Sequence, residues 1–402
     1  MSFKLLFRIF SRLAICLGIF VSYNARAPLG VMAGVSDAGA DATLMLIYRD
    51  IAQNKLDVAL ARTENLLKLY PNFRLANLIQ GDLLLARSQA ITGFGNVPNA
   101  PPDRLKDLRD EALARLRGFK NKPTREYVPR NLVQLQPDQA YAIVVDTLQS
   151  RLYLFRNDKG RPMLIADYYA SQGRAGDFKQ REGDLKTPVG VYHVTSELSA
   201  SQIGDEYGKH AFPLNYPNEW DRIQGRNGHG IWLHGVPANT YARPPKTSEG
   251  CVVLANQDLT ALSPYMQIGV TPVIISSGVE WLKLNDWEHE RATLDKEIEE
   301  WRQDWESRDT NRYMRHYSKN FRSTDQNLQA WENQKRSVNA QKTWVKVSLN
   351  KLSVFRSPGK DELIQVSFEQ DYRSNNLSNV SRKLQYWIKE DGHWKIIFEG
   401  AA

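Results

Sequence analysis

Two cysteines and seven histidines in 402 residues, and no block of consecutive Lys or Arg, narrow what this chain can be. Two cysteines cannot build the disulfide framework of a small secreted scaffold. The histidines are scattered, and His229 with His234 alone makes a weak case for a zinc centre, so neither metal nor cofactor is expected. The lack of a basic block or a nucleic-acid motif argues against DNA or RNA as partner. A long hydrophobic run is missing too. The apolar stretch Leu13 to Val21 (L-A-I-C-L-G-I-F-V) is too short to cross a bilayer comfortably.

That stretch follows Lys4, Arg8 and Arg12 with no acid among them, so residues 1–27 look like a secretory signal peptide. Ala25-Arg26-Ala27 offers small residues for cleavage, whereas Pro28 beside it hinders cleavage and leaves an uncleaved N-terminal membrane anchor as the alternative. Ile15 before Cys16 is bulkier than a lipoprotein signal wants. Export to the periplasm is the expectation. Losing residues 1–27 removes Lys4, Arg8, Arg12 and Arg26 and no acid, so formal charge falls from +8 to +4, enough to suit an anionic wall polymer weakly. It also removes Cys16. Cys251 is then a single thiol in an oxidising compartment, which no internal disulfide explains.

Along the chain the periodicity changes twice. Leu56, Leu60, Leu66 and Leu67, then Leu75, Leu78, Ile79 and Leu83, recur at helical spacing on either side of Tyr70-Pro71-Asn72. Asp103 is placed to cap a further helix running to about Arg117. These elements make residues 40–120 a helical region. The pair around Pro71 resembles a tetratricopeptide hairpin, with no second copy at repeat spacing, and an ordinary helical hairpin reads equally well.

Over residues 139–277 the pattern becomes short β-branched and aromatic runs: Tyr141 to Asp146, Arg151 to Phe155, Leu164 to Ala170, Val189 to Val194, Ile231 to His234, and Pro272 to Ser276. A mainly β domain follows, either barrel or sandwich. Eight of the ten tryptophans lie beyond Gly278. There a helical stripe of Leu294, Ile298, Trp301 and Trp305 precedes four strand-like runs, an α+β arrangement over residues 285–402. It resembles the cone-shaped nuclear-transport-factor-like fold, with its tryptophans read as core.

Thiol catalysis needs a thiolate, a base to form it and donors for a developing oxyanion. His234 ends the run I-W-L-H, 17 residues before Cys251 in T-S-E-G-C-V-V-L. Gly250 permits a sharp turn that could aim the backbone N–H groups of Glu249, Gly250 and Cys251 at one point, with Ser248 bracing it. The order of residues discriminates among cysteine enzymes. The only histidines after Cys251 are His289, His316 and His393, which fall in the tail and do not suit a papain-like order; no Arg follows soon enough for a sortase. A small buried thiol without chemistry is the competing account.

His234-Gly235 followed by Ser248-Glu249-Gly250-Cys251, together with the upstream I-V-V-D-T-L-Q-S-R-L-Y-L-F and E-G-D-L-K-T-P-V-G-V-Y-H-V, resembles the peptidoglycan L,D-transpeptidases with a YkuD-type catalytic domain. That resemblance implies a β-sandwich in which Cys251 attacks the amide between the third residue of a stem peptide and the D-Ala in fourth place. His234 acts as general base and acid, and the carbonyl of Gly235 orients the imidazole. Water as acceptor makes the enzyme a carboxypeptidase; an amine makes it a transpeptidase or attaches a protein. Two positions depart from the pattern: Glu249 stands where His is frequent, and Val253 where Arg or Asn is frequent. Arg243 or Asn256 could replace the lost polar contact, and Arg174, Lys186, Arg243 and Ser248 are the candidate contacts for substrate. S-E-G-C-V-V-L and the tail resemble the cell-shape L,D-carboxypeptidases. The alternative is a non-catalytic wall-binding or scaffold protein that keeps the fold.

Overall fold

The computed structural model describes residues 38–91, 93–96, 100–359 and 361–402, so the expected signal segment lies outside the described residues. Four helices come first: α1 (Ala38–Ala52), α2 (Leu56–Leu69), α3 (Arg74–Leu85) and α4 (Pro102–Lys120). The break between α2 and α3 falls on Tyr70-Pro71-Asn72, where proline cannot continue the first helix. Asp103 is not the cap of α4. Pro101 occupies that position and Pro102 opens the helix, its fixed φ matching the first turn, while Asp103 sits one residue inside and complements the helix dipole. Among the described residues no helix is long and apolar enough to cross a membrane.

The helices bury Leu44, Ile47, Leu60, Phe73, Leu75 and Ile79 in one cluster that also takes in Tyr241 and Ala255 from much later in the chain. Tyr241 lies 4.7 Å from the ring of Tyr70 and 4.3 Å from that of Phe73. A buried ionic chain joins the same elements: Arg115 of α4 pairs with Asp41 at 2.7 Å and Glu111 at 3.0 Å, and Asp41 also meets Arg151, which reaches Asp167. The Arg115 guanidinium stacks 3.9 Å over Tyr169. Helices and sheet thus share apolar and charged contacts.

Two short strands, β1 (Tyr127–Pro129) and β2 (Leu132–Gln134), precede the middle region, whose strands are β3 (Tyr141–Asp146), β4 (Arg151–Asp158), β5 (Arg161–Tyr169), β6 (Gln172–Gly173), β7 (Gly190–His193), β8 (Leu198–Ser199), β9 (His210–Pro213), β10 (Trp232–His234), β11 (Lys246–Ser248), β12 (Val252–Val253) and β13 (Pro272–Ser276). One sheet has the order β5-β4-β3-β13-β7, a second the order β12-β10-β9-β8, and β6 pairs with β11 as a two-stranded ribbon. The two larger sheets close on a common core that includes Leu152, Leu154, Tyr192, Phe212, Leu233, Val252 and Ile275. In the second sheet β10 runs parallel to β12, with His234 opposite Val253. This pairing brings the histidine strand alongside the residues that follow Cys251.

After β14 (Trp281–Lys283), which pairs with β1, come a long helix (Leu284–Glu306), two shorter ones (Thr310–Met314 and Leu328–Ala340), and the strands β15 (Tyr317–Ser323), β16 (Val345–Arg356), β17 (Leu363–Ser374), β18 (Leu377–Glu390) and β19 (His393–Ala401). Their sheet has the order β15-β19-β18-β17-β16-β2, so β2 crosses over from upstream of the middle region to cover its edge. Trp301, Trp305, Trp331, Trp387 and Trp394 are core, as expected of this tail. Trp344 is the exception, at 48 % exposure.

Candidate active site

Strand β10 places Leu233 in the core and ends at His234, which is 3 % exposed. The carbonyl of His234 accepts from Leu254 N–H at 2.9 Å, and Gly235 N–H donates to Tyr207 O at 2.9 Å, so the backbone on both sides of the ring is held. His234 Nδ1 lies 2.7 Å from the Gly235 carbonyl oxygen. A carbonyl only accepts, so Nδ1 carries the proton and Nε2 is bare, ready to take a proton. Asn256 clamps the next residue: Val236 N–H donates to its Oδ1 at 3.1 Å, and its Nδ2 donates to Val236 O at 2.8 Å. Only glycine fits at 235. A Cβ there would fall inside the van der Waals shell of Asn256 Oδ1 and 3.2 Å from its Cγ.

The cysteine turn is built by three neighbours. Gly250 has φ +136°, and a Cβ would come 2.8 Å from the Lys186 carbonyl oxygen. Ser248 Oγ donates to Cys251 O at 2.6 Å and accepts from Gly250 N–H at 3.1 Å. That second bond corrects one expectation: the Gly250 amide is committed within the turn and does not point outward for an oxyanion. Among the described residues the amides of Glu249 and Cys251 donate to no protein group. Cys251 Sγ donates to Gly230 O at 3.3 Å.

Burial governs the charge state of both reactive groups. Desolvation pushes the Cys251 thiol up to about 11, against the opposing pull of the Trp232 amide and the Arg243 charge. Desolvation likewise lowers His234 to about 4, outweighing its bond to Gly235, and the charge of Arg243 lowers it further. At neutral pH the resting site therefore holds a neutral thiol and a neutral imidazole, not an ion pair.

The candidate substrate contacts separate into two groups. Arg243 belongs to the thiol's surroundings. Its carbonyl accepts from Tyr169 OH and Ser171 Oγ, both at 2.9 Å, its Nη2 donates to Glu206 O at 2.9 Å, and burial lowers its own pKa while the Cys251 thiolate would raise it. Asn256 is spent on the Val236 clamp and so does not replace the missing polar group. Val253 itself is buried, its N–H and C=O both exchanged with Ser171 at 3.0 and 2.9 Å. Ser248 is spent on the turn. Arg174 and Glu249 are exposed on the rim, 3.5 Å apart, and Lys186 meets the turn through its backbone carbonyl.

Sequence reasoning missed Tyr207. Its ring meets the His234 ring edge-on at 5.1 Å and the Trp232 ring at 5.0 Å, and its phenol is raised by burial first and by the nearby thiolate charge second. No spacing marks it. The only local signal is the Gly208 that follows, at φ +77°, which turns the chain back toward Gly235. Gly230, the thiol's acceptor, is legible only as part of the turn-forming run N-G-H-G.

Comparison with known proteins gives two domain matches. The L,D-transpeptidase catalytic domain matches residues 140–275, and the Cds6 C-terminal NTF2-like domain matches residues 293–400. Among solved structures, Bd1075 of Bdellovibrio bacteriovorus is 30 % identical with a TM-score of 0.62, the alignment covering 69 % of this chain and 98 % of that one. The helical cell shape determining protein Pgp2 of Campylobacter jejuni is 25 % identical with a TM-score of 0.57, covering 67 % and 95 %. No curated protein sequence matches the chain.

Proposed function

Because the chain belongs to the L,D-transpeptidase family, joined here to a Cds6-type NTF2-like domain, we propose that it is a cysteine acyltransferase that cuts the amide between the third residue and the fourth-place D-Ala of peptidoglycan stem peptides in cell-wall remodelling. Cys251 Sγ attacks the carbonyl carbon of the third residue while its proton passes to His234 Nε2. The amides of Glu249 and Cys251 receive the oxyanion. The C–N bond then breaks, the proton passes from His234 to the departing D-Ala amine, and a thioester remains. Water, deprotonated by the same nitrogen, releases a tripeptide; an amine gives a cross-link or attaches a protein. Arg243 meets a substrate carboxylate in place of the residue lost at Val253, with Ser248 shaping the turn and Arg174 and Lys186 at the rim.

The observation that carries this reading is the 2.7 Å contact between His234 Nδ1 and the Gly235 carbonyl, which leaves Nε2 as the base. The likeness to a helical cell shape determining protein over 67 % of this chain supports a role in shape; water is taken as the acceptor from the resemblance of S-E-G-C-V-V-L and the tail to the cell-shape L,D-carboxypeptidases. The same proposal places the protein in the periplasm, behind a signal peptide or N-terminal anchor. It reads α2 and α3 as a single tetratricopeptide-like hairpin.

The test is to incubate the mature protein and its Cys251→Ala variant with tetrapeptide-bearing muropeptides and resolve the products. Tripeptide and free D-Ala are expected from the first and nothing from the second. Dimers joined 3→3 would make it a transpeptidase. Equal product with both proteins would refute Cys251 as the nucleophile, and none with either would leave a wall-binding or scaffold protein.

A further inference from the structure

The loop between β6 and β7 enters the left-handed region twice without glycine: Phe178 and Leu185 both have φ +60°. Such backbone costs free energy and persists only where its surroundings fix it. Lys179 and Asp184, lying between the two, do so. Lys179 is 4 % exposed, and its Nζ donates to Asp184 Oδ1 at 2.8 Å and to the Arg181 carbonyl at 3.0 Å. The Asp184 carboxylate also accepts from the amides of Gln180, Arg181 and Lys186 at 2.7, 3.1 and 3.2 Å. Burial raises the pKa of Asp184, but the bonds to Lys179 and the three amides outweigh burial and hold it at about 2, so the carboxylate stays charged. A buried ion pair adds little net stability over apolar packing, whereas its directional bonds fix one geometry.

This loop touches both walls of the thiol. On one side Gln180 O accepts from the Asn227 amide at 3.1 Å, and Asn227 Oδ1 accepts from the Glu182 amide at 2.9 Å. Gly228 packs so closely there that a Cβ would lie 3.2 Å from Glu182 Cα and 3.4 Å from Lys179 Cε. Two residues further on, Gly230 O accepts from the Cys251 thiol. On the other side the Asp184 carboxylate bonds the amide of Lys186, whose carbonyl abuts Gly250 in the cysteine turn. One carboxylate and one ammonium thus connect the thiol's acceptor to the bend that presents the thiol. Against the burial that raises the Cys251 thiol, the Lys179 charge also favours the thiolate, behind the Trp232 amide and Arg243.

We propose that Lys179 and Asp184 are positioning residues for the nucleophile: their buried pair clamps the loop from Phe178 to Leu185, and through it the Gly230 carbonyl and the Gly250 bend between which Cys251 sits. Both act through the backbone of other residues. The role of Cys251 as nucleophile rests on the function proposed above; the clamp rests on the contacts of Lys179, Asp184 and Gly228.

Two readouts separate the clamp from a general loss of fold, with circular dichroism and the urea midpoint showing that each variant is folded. The first is alkylation of Cys251 by iodoacetamide at pH 8, in the full chain carrying Cys16→Ser so that a single thiol is left. Asp184→Asn keeps the side chain's size and the Lys179 charge but loosens the loop, and should speed alkylation about threefold or more as the thiol leaves the Gly230 carbonyl. Lys179→Met loosens the loop and also removes the charge, so its gain should be smaller. Gly228→Ala pushes the loops apart from the opposite side without changing either charge, its φ of +107° adding to the strain, and should act as Asp184→Asn does. The second readout is D-Ala release, where kcat should fall about tenfold or more with KM within about twofold, because the pair holds the nucleophile and not the substrate. Unchanged alkylation and kcat in folded Asp184→Asn and Gly228→Ala would overturn the clamp, and so would a rise in KM with kcat intact. Gly228→Ala decides alone if Asp184→Asn does not fold. Faster alkylation in the variants together with no D-Ala release by the parent would uphold the clamp and remove the enzymatic reading instead.

Discussion

Replacing Gly235 by alanine tests the core of the site with one methyl group. The φ of Gly235 lies outside the left-handed region, so backbone conformation does not forbid the change; only space does. The new Cβ collides with Asn256 Oδ1. If the chain absorbs the clash, the cost is that of local overpacking, about 1–3 kcal/mol. If Asn256 swings away, it gives up both bonds to Val236, at about 1 kcal/mol each. Either route destabilises the protein by about 2 kcal/mol, and either shifts the carbonyl that holds His234 Nδ1. An imidazole free to place its proton on Nε2 cannot accept one from the thiol, and a wrong tautomer in a catalytic triad costs up to ~10⁴ in turnover. The expected loss in kcat/KM for D-Ala release is about 10²-fold or more. Urea unfolding and D-Ala release should be measured for Gly235→Ala, Asn256→Ala and the double variant. Removing the Asn256 side chain makes room for the methyl, so the double variant should be scarcely less stable than Asn256→Ala, a coupling of at least about 1 kcal/mol. Stability losses that add to within about 0.5 kcal/mol, or a Gly235→Ala protein with full activity, would refute the clash and the positioning role drawn from it.

Because burial holds His234 near 4, the acid limb of kcat/KM should fall near pH 4 and not near 6.5. The folded state resists protonation of this ring more than the unfolded chain does, so the ring's contribution to stability is complete above about pH 6.5 and is lost as pH falls to about 4. That loss is roughly 3 kcal/mol by proton linkage. His234→Gln should flatten this part of the stability profile, and an unchanged slope would contradict it. Asp41→Asn leaves Arg115 and Arg151 with one acid fewer between them in a buried chain, which should cost about 3 kcal/mol and loosen the α1–α4 packing, read by amide exchange. Protection in α4 equal to that of the parent would contradict it. Tyr241→Ala empties a site between Tyr70 and Phe73 and should cost about 3–5 kcal/mol. Since the same loop carries Arg243, KM should rise more than kcat falls; kcat alone falling would place the loop's role elsewhere.

Much of the site is local in sequence and legible there. The turn S-E-G-C carries its own bend and brace, because Gly250 supplies a conformation that other residues resist and Ser248 lies two and three residues from the groups it bonds. The run I-W-L-H declares a strand by its β-branched and aromatic make-up, and the order of His234 and Cys251, with no Arg soon after the cysteine, separates this chain from papain-like peptidases and sortases. The helical, β-rich and α+β regions announce themselves by period, since side-chain spacing of 3.6 or 2 is set by the backbone alone. The direction of the Gly250 amide is not legible, because a turn's composition does not tell which of its N–H groups faces inward.

Contacts between residues far apart in the chain belong to the assembled fold. Tyr207 reaches His234 only because the chain after it folds back onto Gly235, and Asn256 finds Val236 only because β12 runs beside β10. The strand β2 completes a sheet whose other members lie more than 180 residues later, and Asp41 joins Arg115 of the helices to Arg151 of the sheet. None of these partners is marked by periodicity, capping or turn chemistry, which act over a few residues. The candidate nucleophile, its candidate base and the character of each region can be read from the order of residues alone. The protonation of the His234 ring and the loop that presents Arg243 come from the packing of those regions against one another, because burial and charge pairing are properties of the assembled surfaces.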